Sequence, residues 1–101
     1  MSDEVHKDDI GTEFRLVIQD DGVAVDLSEC LDPVMIFLKP SGSRLEKAAN
    51  FLTDGSDGVL YYNCVEGDLD EVGLYKLQAR VDIDDGVFYS SVVSFKVHKN
   101  I

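Results

Sequence analysis

Tryptophan is absent from the 101 residues, and cysteine and proline occur twice each. Two cysteines, Cys30 and Cys64, cannot supply the disulfide framework on which many small secreted domains depend. They leave two readings open: one bridge between distant segments, or two free thiols packed in or near the core. Together with two scattered histidines, His6 and His98, they show no zinc-ligand spacing. No apolar run approaches the roughly 18 residues of a membrane-spanning helix. The start, Met1-Ser2-Asp3-Glu4, is acidic and lacks an apolar stretch, which reads against a signal peptide. Cations are scarce: Lys and Arg total 9 against 20 Asp and Glu, a net charge of −11. Such a surface repels phosphate backbones and anionic lipid, so neither nucleic acid nor a membrane is expected as a partner. Also missing are a glycine-rich phosphate loop, a nucleophile elbow and a His-x-x-x-His pair. No catalytic, metal-binding or cofactor-binding residue is assigned, no cofactor is expected, and the chain is not read as an enzyme.

What is present is a normal apolar share, 45%, arranged in short alternating runs. In Thr12 to Gln19, Phe14, Leu16 and Ile18 point one way and the polar residues the other, the period of a strand. Asp20-Asp21-Gly22 reads as a hairpin turn, with Val23 to Val25 returning. Val34 to Lys39 is nearly all apolar, as in a central strand covered on both faces. Lys47 to Thr53 reads as an irregular strand, although Leu45, Ala48, Ala49 and Leu52 would also suit a helical turn or two. Val59 to Cys64 is a further strand, and the acidic bend after it allows a short helical turn over Leu69 to Val72. Leu74 to Ile83 alternates most regularly, with Tyr75, Leu77, Ala79, Val81 and Ile83 on one side. Asp84-Asp85-Gly86 reads as a second hairpin turn, and Val87 to His98 as the return, with Val93, Phe95 and Val97 inward.

About seven short strands at regular spacing predict an all-β fold, an immunoglobulin-like antiparallel β-sandwich. The polar stretch 1–11 reads as a flexible acidic arm and 12–101 as the sandwich domain. Gly73-Leu74-Tyr75, preceded by Asp70, has the form of a tyrosine corner, in which the Tyr75 hydroxyl reaches back to nearby backbone. Leu77 stands where antibody domains carry the second core cysteine, so no inter-sheet disulfide is expected there.

The acidic loops Asp82-x-Asp84-Asp85 and Glu66-x-Asp68-x-Asp70-Glu71 offer oxygen ligands at short spacing, but neither completes a calcium loop. Aspartate also serves turns by bonding backbone. Charge is unevenly spread: residues 16 to 38 hold five acids and no Lys or Arg. Lys76, Arg80 and Lys96 all fall on the outward side of the last two long strands. Paired as a hairpin, those strands would put three cations on one face, a candidate protein-docking patch on an otherwise acidic protein. Plain solvation of a sheet face is the alternative.

Taken in order, several segments resemble a family of short proteins and domains encoded by tailed bacteriophages. They are Asp9-Ile10-Gly11-Thr12, Lys39-Pro40-Ser41-Gly42, Phe51-Leu52-Thr53-Asp54-Gly55, Gly67-Asp68-Leu69-Asp70, Gly73-Leu74-Tyr75-Lys76-Leu77-Gln78-Ala79 and Ser94-Phe95-Lys96-Val97. The chain is similar to the N-terminal domain of phage baseplate upper proteins. The resemblance implies an immunoglobulin-like structural module of a virion, made in the host bacterial cytoplasm. It implies binding to other virion proteins in the tail, baseplate or fibre region, with a homo-oligomer allowed, and no catalysis. It supplies no site residues to carry over. The chain ends at Ile101, soon after the last strand, where larger baseplate proteins continue. A free-standing module could instead decorate the capsid. A carbohydrate-binding module and an acidic inhibitor that mimics nucleic acid are the other readings.

Overall fold

Alternating apolar residues generate the strands, and aspartate and glycine set the turns between them. The computed structural model describes residues 4–83 and 86–101. Its strands are β1 Val5–His6, β2 Glu13–Val17, β3 Gln19–Asp20, β4 Val23–Ala24, β5 Val34–Leu38, β6 Arg44–Ala48, β7 Asn50–Phe51, β8 Val59–Asn63, β9 Gly73–Ile83, β10 Gly86–Tyr89 and β11 Val93–His98. No helix occurs among the described residues. Four of these strands, β1, β3, β4 and β7, are only 2 residues long. The longer ones match the expected number of about seven.

The larger sheet runs β1-β11-β9-β5-β6, with β10 on the far half of β9. A three-stranded sheet, β2-β8-β7, packs across it, and β3 and β4 form a separate hairpin. That hairpin turns through Asp21 (φ 51°) and Gly22 (φ 80°), the paired positive angles of a tight turn whose twist matches its strands. Pairing is antiparallel except between β1 and β11, which run parallel.

The core lies between the two sheets. Phe37 of β5 meets Phe14 of β2 and Tyr62 of β8 across the gap, with ring centroids 5.4 and 5.8 Å apart. Phe14, Leu16 and Ile18 are buried from one side, and Met35, Phe37, Tyr75, Leu77, Ala79 and Val81 from the other. Each large apolar side chain so placed contributes about 1.5–3 kcal/mol. Cys30 and Cys64 are both buried free thiols that serve this packing.

Several expectations are corrected. The segment read as a flexible arm is docked from its fifth residue. Val5 is buried, the Lys7 N–H donates to the His98 carbonyl, and the Asp8 N–H donates to the Leu69 carbonyl. The Gly11 N–H likewise bonds the Cys64 carbonyl. One β-branched residue and backbone bonds hold this strand, and two residues carry no period to read. The boundary drawn at 11/12 therefore falls inside the packed unit; residues 1–3 lie outside the described residues.

The stretch 47–53 is two strands in different sheets. Arg44–Ala48 pairs with β5, Ala49 donates its N–H to the Pro33 carbonyl, and Asn50–Phe51 then joins β8. The hydrogen-bonded turn in the acidic bend spans 66–69 rather than 69–72, closed by Asp68 N–H on the Val65 carbonyl. Asp84 and Asp85 of the expected second turn lie outside the described residues; Gly86 pairs with Ile83 beside them.

The return strand is broken as well. Tyr89 pairs with Arg80 and the Ser90 N–H bonds the Ala79 carbonyl, whereas Val93 pairs with Leu77. Three steps on one strand thus span two on the other, a one-residue bulge. It takes up the extra residue ahead of β11, where Val97 is buried, Phe95 half-buried and Val93 largely exposed at the sheet's end.

Candidate functional site

Strand register decides where the three outward cations lie. Lys76 stands opposite Leu38 of β5 and Ser94 of β11. Arg80 stands opposite Val34 of β5 and Tyr89 of β10, and Lys96 opposite Leu74 of β9. Cross-strand partners share a face, so Lys76, Arg80 and Lys96 all project from the outer side of the larger sheet. Lys76 and Lys96 are exposed, and Arg80 is half-buried.

The other cations are mostly engaged. Lys39 pairs with Asp70 at 2.6 Å, Arg44 with Glu46 at 3.3 Å and Lys47 with Asp68 at 3.4 Å. Lys7 pairs with Asp8, and Arg15 with Glu13. Hydrogen bonding to Asp70 raises the Lys39 pKa, and the same bond lowers that of Asp70. Among the described residues, Lys76, Arg80, Lys96 and Lys99 make no ion pair. Three of these four are the outer-face cations.

Sequence reasoning missed the apolar row beside them. The apolar run of β5 was expected to be covered on both sides, but only Met35 and Phe37 are buried. Val34 and Ile36 are half-buried, and Leu38 is 41% exposed on the outer side. The small sheet covers one face only, so the second apolar row of the run remains at the surface. A cavity of about 290 Å³ opens there, lined among others by Ile36, Leu38, Arg44, Lys76, Tyr89 and Val92. The available signal was the run itself: a strand with two apolar rows needs cover on both, and this chain supplies one. The surface offers an apolar row flanked by Lys76 and Arg80 on one side and by the paired Arg44 and Glu46 on the other, which suits an apolar protein surface with acidic groups along one margin.

Tyr75, at the start of β9, has its ring fully buried and stacked on Phe95, with centroids 5.3 Å apart. Its hydroxyl accepts a hydrogen bond from the Glu71 N–H, four residues upstream, at 3.1 Å. Burial raises its pKa. Three of the four acids of the 66–71 bend are engaged individually. Asp68 turns inward to Tyr62, Asp70 outward to Lys39, and Glu71 takes the Ser41 N–H and hydroxyl. No cluster of three metal-ligating side chains occurs among the described residues. Asp84 and Asp85 of the other acidic loop lie outside them.

Among the described residues the fold is a helix-free sandwich, and its three outward cations share a sheet face with the second apolar row of β5. The family model described as the BppU N-terminal domain matches residues 5–101, and the chain belongs to that family of phage baseplate structural domains. No curated protein matches the sequence. The match begins at Val5, the first residue of β1, so the docked N-terminal strand is part of the family domain.

Proposed function

We propose that this domain is a non-enzymatic structural component of the phage particle that binds another virion protein through the outer face of its larger sheet. In this reading Lys76, Arg80 and Lys96 orient an acidic-rimmed partner, and Val34, Ile36 and Leu38 supply the apolar contact. Tyr75 has no part in docking; as a tyrosine corner it fixes the start of β9, the strand that carries Lys76 and Arg80. The observation that carries the proposal is the second apolar row of β5, left at the surface beside cations of β9 and β11 that make no ion pair among the described residues. Neither nucleic acid nor membrane is the partner, because the chain carries a net charge of −11.

The test is incorporation into particles. Phage carrying Lys76→Glu, Arg80→Glu and Lys96→Glu together, or Leu38→Asp alone, are banded by density, and the protein's copy number is measured by mass spectrometry. The expected result is a particle depleted of this protein while the purified variants stay folded by circular dichroism. Unchanged copy number would overturn the docking face. Absence of the unaltered protein from particles would overturn the virion role itself.

A further inference from the structure

The second sheet ends in an edge that the sandwich does not protect. Among the described residues, strand β2 pairs with β8 on one side and with nothing on the other. Its ladder fixes which backbone groups are free. The Cys64 N–H bonds the Thr12 carbonyl and the Ile18 N–H bonds the Gly58 carbonyl, in register with the pairs Phe14↔Tyr62 and Leu16↔Leu60. Even-numbered residues therefore bond toward β8. Glu13, Arg15 and Val17 point their N–H and C=O groups at the open side. No proline, lysine or bulge blunts this strand, although natural sheet edges are commonly guarded in those ways.

A cavity of about 760 Å³ lies beside the same edge, between β2 and β11, with Val5, Phe14, Val93 and Phe95 in its lining. Among the described residues, strand β1 pairs with β11 only at Val97 and His98. One side of the sandwich thus presents the edge of β2 beside an apolar slot.

We infer that a second copy of this chain occupies this side, pairing β2 with β2 across a two-fold axis. Charge selects both the occupant and the register. With the axis at Phe14, Glu13 of each copy stands opposite Arg15 of the other, and both residues present free backbone groups. Two opposite-charge pairs and four main-chain hydrogen bonds then form symmetrically. With the axis at Arg15, two arginines would face each other. In the single copy, Arg15 and Glu13 bond only each other, along the strand. On pairing, Phe14 meets Phe14 on the inner side and the two apolar slots close over one another.

The other five-residue edge strand, β6, also alternates Arg44 and Glu46 at its open side. Its inner row carries Lys47, held by buried Asp68, and no apolar slot of that size borders it. It therefore serves as the control.

Sedimentation equilibrium of the purified chain tests the inference. The unaltered protein is expected to dimerise reversibly. Arg15→Glu and Glu13→Arg should each weaken the dimer roughly tenfold or more, because each places like charges opposite one another twice. Mixing the two variants should restore association, since the unlike chains are complementary in this register. The double variant Glu13→Arg/Arg15→Glu should dimerise with itself, and Arg44→Glu should leave the dimer as it is. Both positions are at the surface, so thermal melts of the variants check that folding is intact. A monomer at every concentration, a dimer indifferent to Arg15→Glu, or a dimer broken by Arg44→Glu would overturn the inference. So would unlike variants that fail to associate when mixed.

Discussion

The phenol of Tyr62 on β8 donates a hydrogen bond to the carboxylate of Asp68, and both side chains are shut away from solvent. The same carboxylate oxygen accepts the Val65 N–H at 2.9 Å, while the other lies 3.4 Å from the Lys47 ammonium. One buried charge thus ties β8, the 66–69 turn and β6 together. Asp68→Ala should cost about 3–5 kcal/mol, because it strands a buried hydroxyl, an amide and an ammonium. Tyr62→Phe should cost about 1–2 kcal/mol, since Asp68 keeps its other two partners. Urea unfolding at neutral pH measures both. Equal costs would mean that the carboxylate does not hold the three elements jointly.

Alkaline pH should act through the same residue. Burial, and then the hydrogen bond and charge of Asp68, hold the Tyr62 pKa well above the ordinary tyrosine value; burial raises that of Tyr75 too. A group whose pKa is raised by folding contributes stability that is complete below its unfolded value, here about 10. That stability is lost as pH rises from there toward the folded value. Urea midpoints should be insensitive to these two groups from neutral pH to about 9, then fall above about 10. The loss due to Tyr62 should approach about 1.4 kcal/mol per pH unit, and Tyr75 adds to it in the same direction. Tyr62→Phe should make the decline shallower, leaving the share due to Tyr75.

The N-terminal strand should behave as part of the fold. Val5 is 6% exposed, and around it the Lys7, Asp8 and Gly11 N–H groups bond backbone elsewhere in the domain. The Asn100 side chain closes the strand from the other end by donating to the Lys7 carbonyl at 2.7 Å. Val5→Ala should cost about 1–2 kcal/mol. Deletion of residues 2–10 should cost more and expose the edge of β11. Amide exchange at Lys7 and Gly11 should be slow in the full chain. Fast exchange there, with an unchanged melt for the deletion, would restore the picture of a loose arm.

The core was legible where a strand has one buried face and at least five residues. Phe14, Leu16 and Ile18, and then Tyr75, Leu77, Ala79 and Val81, alternate in the sequence and are all buried in the structure. The docked β1 was not legible, because two residues hold no period and backbone bonds do most of the holding. The switch at Ala49 was hidden for a related reason: Lys47 to Thr53 reads as one irregular strand, and only the pairing partners reveal two sheets. On the candidate face the cations were legible from the parity of β9 and β11. The apolar row beside them was not, because Val34 to Leu38 looks the same whether one or both of its sides are covered.

Phe95 and Val97 face inward because the bulge at Ser90 takes up one extra residue. The Ser90 hydroxyl accepts the Ala79 N–H at 2.9 Å and donates to the Ser91 carbonyl at 3.0 Å. The Ser90 carbonyl in turn accepts the Gln78 side-chain amide at 3.0 Å. Ser90→Ala removes the partner of a buried backbone amide and should cost about 1–2 kcal/mol. Deleting Ser91 is the sharper experiment. With one residue fewer, Val92 alone would stand opposite Gln78, and β10 and β11 would form an unbroken ladder in which Phe88, Phe95 and Val97 keep their partners and their facing. Phe95 then keeps its stack on Tyr75, so the deletion variant should stay folded at 37 °C. Inserting a residue after Ser91 instead shifts β11 by one unless the bulge widens, and a flat ladder would then turn Phe95 and Val97 outward. That would forfeit about 1.5–3 kcal/mol of burial for each, a large part of the stability of a small domain. Near-ultraviolet circular dichroism of the two variants is the measurement. Loss of the native signal in the deletion variant would show that the bulge itself, rather than the register, aims the last strand into the core.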